Sequence, residues 1–223
     1  MRELRQVRGI GTPIPLRQKG EAVPKKKKEI SLRISSVSIE FSAFCANPIL
    51  ACHTAKCSNR MMIDVRDETP RDWKAVYQVV SSAFGQSVEA ELVEKLRQTG
   101  DSVISLVADE DGQIVGHVLL SKMNAPFPAL ALAPVSVIPT RQRLGIGSAL
   151  VNRAVNRARL EGWAAIFVLG DPNYYERFGF NRAAAAGFTS PYAGPHFMAL
   201  KLSPSLPAAT GELHHASAFD ALG

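Results

Sequence analysis

Residues 131–150 read Ala131-Leu132-Ala133-Pro134-Val135-Ser136-Val137-Ile138-Pro139-Thr140-Arg141-Gln142-Arg143-Leu144-Gly145-Ile146-Gly147-Ser148-Ala149-Leu150. The first part is an apolar, β-branched run, which predicts a strand over 129–138. The second is a short Arg/Gly loop, and from Ile146 the apolar residues take up helical spacing. A helix N-terminus carries unpaired N–H groups and the positive end of the helix dipole, so it holds anions. Glycines at 145 and 147 let the backbone come close to such an anion. Arg141 and Arg143 add charge-assisted donors. The stretch therefore reads as a pyrophosphate-binding loop between a strand and a helix.

Two familiar phosphate loops do not fit it. A P-loop requires Gly-Lys-Ser/Thr, and no such triplet follows Gly147. A dinucleotide fingerprint requires Gly or Ala three residues after its second glycine, where this chain has the bulky Leu150. The pattern that does fit is Q/R-x-x-G-x-G/A after a strand ending Val-x-Pro, met by Gln142, Gly145 and Gly147 with Val137 and Pro139 upstream.

A second block points the same way. Ile166-Phe167-Val168-Leu169-Gly170-Asp171-Pro172-Asn173-Tyr174-Tyr175-Glu176-Arg177-Phe178-Gly179-Phe180 is an apolar strand, a Gly-Asp-Pro breaker and a short aromatic helix closed by Gly179. Together the two blocks resemble the acyl-coenzyme A loop and the Tyr-x-x-[Leu/Phe]-Gly-Phe signature of the GNAT N-acetyltransferase superfamily. The second block is similar to one bacterial branch of predicted acetyltransferases. The resemblance spans residues 62–202.

It implies the GNAT fold, an α/β mixed central sheet with helices on both faces. The order of elements read from the residues agrees. A strand over 63–66 precedes Thr69-Pro70, a helix cap with proline in the first turn. Trp73, Val76, Tyr77, Val80 and Phe84 recur at helical spacing, as do Leu92, Val93 and Leu96 between Ser87 and Gly100. Runs over 103–108 and 113–120 flank a turn at Asp109-Glu110-Asp111-Gly112 and predict a hairpin. After the loop, Leu150, Val151, Ala154, Val155 and Ala158 share one helix face up to Gly162. A late strand is expected over 197–202.

The resemblance also implies an activity: transfer of an acetyl group from acetyl-CoA, as co-substrate, to the primary amine of a small molecule or peptide, by direct attack in a ternary complex. It assigns Val135, Ser136 and Val137 to the pantetheine arm through their backbone groups. It assigns Gln142 and the loop Arg143, Leu144, Gly145, Ile146, Gly147 and Ser148 to the pyrophosphate. Asn173 is placed beside the pantetheine or the acceptor. Tyr175 falls at the general-acid tyrosine, with Tyr174 as its neighbour alternative. A phenol of pKa ~10 protonating a thiolate whose acid has pKa ~8.5 is uphill. The role therefore asks for a lowered pKa or a shared proton. Many relatives carry a Glu on the fourth strand as amine base. Here that strand begins Leu130-Ala131-Leu132-Ala133-Pro134, without a carboxylate, and His117 on the preceding strand is the candidate base. No metal is implied.

Composition bounds the remainder. The chain has 223 residues with a net charge of +6, but the charge is uneven. Residues 1–60 hold 12 Lys/Arg against 4 Asp/Glu, and residues 61–223 hold 14 against 16. The basic character thus belongs to a separate N-terminal segment of low order, and nucleic-acid binding by the domain at 61–223 is not implied. That segment carries the tetrad Lys25–Lys28, a strand-like run over 30–41, and all three cysteines, Cys45, Cys52 and Cys57, beside His53. Their spacing is a poor zinc pattern. The segment is open to three accounts: a basic arm, a targeting segment, or sequence upstream of a true start at Met61 or Met62. No apolar run reaches a membrane-spanning length, so a soluble protein is expected; a cytoplasmic location and a monomer or homodimer are further expectations. Two other functions stay open: a CoA-binding sensor without turnover, and nucleic-acid or partner binding through residues 1–60.

Overall fold

The computed structural model describes residues 63–222. The basic segment, with its strand-like run, lysine tetrad and cysteines, lies outside them. Among the described residues no helix is long and apolar enough to cross a membrane.

The chain builds β1 (Ile63–Asp67), α1 (Trp73–Phe84), α2 (Val88–Gln98), β2 (Ser102–Glu110), β3 (Gln113–Asn124), β4 (Ala129–Val137), α3 (Ile146–Leu160), β5 (Ala165–Leu169) and α4 (Pro172–Tyr175). It ends with α5 (Arg182–Ala185), β6 (Phe188–Thr189), β7 (Phe197–Lys201), β8 (Gly211–Glu212) and β9 (His214–His215). One sheet runs in the order β1-β2-β3-β4-β5-β7, and β9 pairs with the end of β3. Only β4 and β5 in it are parallel. This is the expected mixed sheet, with two differences of detail. The second hairpin strand runs on to Asn124, and the tail supplies two short strands and a 3-10 turn (Ser217–Leu222).

Local chemistry sets the boundaries. The Asp72 carboxylate accepts from the Thr69 amide and hydroxyl, both at 2.8 Å, which closes the turn that leads into α1. Asp111 and Gly112 both have positive φ, 51° and 84°. They form the two-residue hairpin turn whose twist matches its strands.

Strand alternation divides the core. Val118 and Leu120 join Ile146, Leu150, Val151, Ala154 and Val155 of α3 on one face. Leu119 joins Val76, Val80, Leu92, Val93 and Leu96 of α1 and α2 on the other. A third group, built on Phe127, Phe167, Phe188, Phe197 and Leu213, extends that second face under the later strands. The first helix pair and α3 therefore clamp the sheet from opposite sides.

The contact of α3 with β3 is close. A Cβ added to Gly116 would stand 2.9 Å from Leu150 Cδ1, 3.2 Å from Ile146 Cγ2 and 3.2 Å from the Ser136 carbonyl. Gly116→Ala is expected to cost about 1–3 kcal/mol through overpacking, seen as a lower urea midpoint with unchanged m. Gly194→Ala, where the added methyl meets nothing within 4 Å, should stay within about 0.5 kcal/mol.

Candidate functional site

Two departures from regular pairing make the site. First, β4 pairs with β5 only from Ala129↔Ala165 to Leu132↔Val168. Beyond that the strands diverge: β5 ends at Leu169, while β4 continues to Val137. Second, the β3–β4 register jumps from Leu120↔Leu132 to Val118↔Val135. Ala133 and Pro134 thus stand opposite the single residue Leu119, which is a β-bulge.

After the bulge the pairing is regular again, so hydrogen-bonding directions follow from it. The Ile138 amide donates to the Val115 carbonyl at 3.0 Å. Antiparallel alternation then turns Ser136 toward β3, and the N–H and C=O of Val135 and Val137 away from it. Those groups face the gap left by β5. The Val137 carbonyl is met there by Nε2 of Gln142 at 3.1 Å. Gln142 therefore braces the strand end against the loop.

The loop enters α3 through two left-handed residues, Arg143 (φ 66°) and Gly145 (φ 84°). Arg143, Leu144 and Gly145 are exposed. The first α3 bond to reach back one full turn is Ala149 N–H to Gly145 C=O, 3.0 Å. Helix geometry leaves the amides of Ile146, Gly147 and Ser148 without a partner one turn back. Three free amides thus stand at the start of α3, where the sequence predicts an anion nest. One of the two arginines expected there is not free: Arg141 Nε is engaged by Glu110 at 2.7 Å. Arg143 makes no ion pair among the described residues.

Gly147 is small for a reason the sequence alone does not give. A Cβ there would lie 2.7 Å from the Tyr174 hydroxyl. Tyr174 is half-buried. Burial pushes its phenol up, while Arg177 and Ser148 pull the other way. Its hydroxyl thus ties α4 to the first turn of α3.

Tyr175 points elsewhere. Its ring is 1% exposed, lies edge-on to Tyr174 and Phe180, and presses on Gly170 just past β5. Burial, then the neighbouring Tyr174, pushes its phenol far above the ordinary value. The expectation of a lowered pKa is corrected: a hydrophobic site stabilises the neutral phenol. Asn173 is exposed, and its backbone and side-chain amides both donate to Asp171, at 3.0 and 3.1 Å. It serves as the first turn of α4.

His117 also differs from expectation. It is 0% exposed, under α1 and α2. Nε2 lies 2.9 Å from Ser105 Oγ and 3.4 Å from the Glu68 carboxylate; Nδ1 is buried without a partner. Ser105 also donates to Glu68, and Arg97 Nη2 lies 2.5 Å from Glu68 Oε1. Burial holds His117 below its ordinary value despite Glu68. Burial would raise Glu68, but His117, Ser105 and Arg97 outweigh it and hold the carboxyl below the usual range. A base must reach its substrate. His117 is sealed into a charged quartet and is open to none, so its assignment as base is corrected. Glu68, just past β1, Arg97 of α2 and Ser105 of β2 are far apart in the chain and carried no sequence motif. Among the described residues no group of His, Cys, Asp or Glu could hold a metal ion.

The fold is that of acyl-transfer enzymes. The acetyltransferase (GNAT) family model matches residues 73–180. The uncharacterized N-acetyltransferase YjhQ of Escherichia coli (strain K12) is 36% identical over 133 residues, 56% of this chain and 73% of that protein. YhbS of the same strain, also an uncharacterized N-acetyltransferase, is 34% identical over 124 residues, covering 54% and 74%. The solved structure of Escherichia coli YhbS in complex with CoA superposes with a TM-score of 0.68 at 29% identity, over 72% of this chain and 93% of that one. A GNAT family acetyltransferase from Brucella melitensis in complex with acetyl-CoA gives 0.62 at 33% identity, over 72% and 99%. This chain belongs to the acetyltransferase (GNAT) family, and is an enzyme of that class.

A pH dependence of stability follows from the buried imidazoles. His215, between Tyr192 and Phe219, is held down to about 4 by burial. An unfolded histidine titrates near ~6.5. Below that pH the unfolded chain takes up protons that the folded one refuses, so stability is full above ~6.5 and falls as pH drops toward the folded value. His117 acts with the same sign. The urea midpoint of the wild type is expected to fall over this window, and that of His215→Phe to fall less steeply. Equal slopes would mean that His215 is not held neutral.

Proposed function

We propose that this chain transfers an acetyl group from acetyl-CoA to a primary amine, by direct attack in a ternary complex. The observation that carries this is the gap between β4 and β5, edged by the backbone groups of Val135 and Val137 and leading to the free amides of α3. The pantetheine arm fits as an added strand beside Val135–Val137. The pyrophosphate fits on the amides of Ile146, Gly147 and Ser148, with Arg143 above them. Leu144 and Gly145 shape the turn, and Gln142 holds the strand end in register. Asn173 lies at the start of α4, on the same edge.

The reaction then runs as follows. The amine lone pair attacks the thioester carbonyl, and the carbonyl oxygen gains the negative charge. The Val135 amide, turned away from β3 at the bulge, is the donor placed to hold that charge. The C–S bond breaks, and the leaving thiolate accepts a hydrogen bond from Tyr175, whose ring lies against Gly170 where β5 ends beside the gap. Burial holds that phenol neutral, so Tyr175 is proposed to stabilise the thiolate without ionising, and the proton the thiolate takes up is the one released by the nitrogen, carried by water. The nitrogen loses its proton to water, since β4 carries no titratable side chain. The acceptor is a small-molecule or peptide amine, and the enzyme works in the cytoplasm as a monomer or homodimer.

Two measurements on the full chain test this. In calorimetry, acetyl-CoA and CoA should bind while NADH and ATP do not, and Gly147→Trp should abolish binding. A preference for NADH or ATP would overturn the donor assignment. In a thiol-release assay over an amine panel, Tyr175→Phe should lower kcat about 10²-fold, as for loss of one hydrogen-bond donor to a developing negative charge, with acetyl-CoA affinity unchanged. Unaltered turnover would remove Tyr175 from the mechanism.

A further inference from the structure

The nest at the start of α3 is short of cations. Of its own two arginines, Arg141 is neutralised by Glu110, which leaves Arg143. A pyrophosphate carries more charge than one guanidinium balances. A third arginine, Arg177, lies thirty-four residues past Arg143 in the chain.

Arg177 is exposed. Its guanidinium lies 4.0 Å from the centroid of the Tyr174 ring and 5.0 Å from that of Phe178. It makes no ion pair with a carboxylate among the described residues. Arg177 and Ser148 both act on the Tyr174 phenol, drawing it down against burial, and its hydroxyl fills the space over Gly147. A single phenol therefore spans the distance between this guanidinium and the free amides. Stacking on aromatic rings holds the planar group in place while leaving its N–H edges free, an arrangement suited to phosphate. Lysine would suit this position less well, because a point charge on a flexible stem presents no planar fork.

We propose that Arg177 is a phosphate-binding residue of the donor site, taking a phosphate of bound CoA together with the free amides of α3. The inference rests on the donor reading above. CoA offers two phosphate sources near such a group, the pyrophosphate and the 3′-phosphate of its ribose.

The test is calorimetry of the full chain with CoA and dephospho-CoA, for the wild type, Arg177→Ala, Arg177→Lys and Tyr174→Phe. Arg177→Ala is expected to weaken CoA binding about tenfold, in keeping with loss of one charge-assisted contact, and to make it less sensitive to salt. Arg177→Lys should recover part of the loss. Tyr174→Phe, which keeps the stacking ring, should lose less than Arg177→Ala. An equal loss with both ligands assigns the contact to the pyrophosphate; a loss seen only with CoA assigns it to the 3′-phosphate. Wild-type affinity in Arg177→Ala, with an unchanged urea midpoint, would overturn the proposal and leave the donor site standing. No CoA binding by the wild type would instead remove the donor site itself.

Discussion

The site depends on one constraint: two parallel strands that stop pairing while one of them continues. Buried backbone N–H and C=O groups need partners. Within the sheet they have them, since β4 is bonded on both sides as far as Leu132. Past that point β5 turns off through Gly170 and Asp171, and β4 keeps one bonded edge. The Ala133–Pro134 bulge then resets which residues face the open side. Without the extra residue, Ser136 would present its N–H and C=O to the gap, and Val135 and Val137 would bond to β3. The bulge thus decides which amides are offered to a ligand and leaves two of them, two residues apart, as a ladder for an extended chain.

The loop depends on the same arrangement. β4 delivers the chain to α3, and α3 must sit low on β3 for its first turn to lie at the mouth of the gap. Gly116 permits that approach by leaving room for Ile146 and Leu150. Tyr174 then closes the structure from the side of β5, placing its hydroxyl over Gly147. The two glycines act at opposite ends of one packing problem. One lets helix meet sheet, and the other lets α4 meet the helix.

Much of this was legible in the sequence, because it is local. The strand, the left-handed loop and the helix around 131–150 follow from residue order, and Gly145 takes the positive φ for which glycine is suited. The hairpin turn at Asp111-Gly112 and the aromatic block at 166–180 were equally readable. What could not be read depends on distant partners. Arg141 beside two glycines has the look of a phosphate ligand, yet Glu110 from the hairpin claims it. Arg177 has the look of a surface charge, yet the turn after α4 lays it on Tyr174. Tyr175 sits at the motif position of an acid, but only the packing of Phe180 and Gly170 around it sets the direction of its pKa.

His117 shows the same limit most clearly. In Val-Gly-His-Val it stands in a hydrophobic strand with no local partner. Its partners arrive from the end of β1, from β2 and from α2. A buried ion pair such as Glu68–Arg97 is weak evidence of net stability, because desolvation offsets most of the attraction. It is strong in geometry, since neither charge tolerates a neighbour out of place. Arg97 also lies 5.6 Å from the ring of Trp73, at the start of α1. One guanidinium therefore fixes α1 and α2 against the sheet, and Glu68 passes that constraint through Ser105 and His117 to β3. His117 is paired across the sheet with Ser136, between the two residues that face the gap. The quartet thus braces β3 directly opposite Ser136, which is a reason for a buried histidine in this place other than proton transfer.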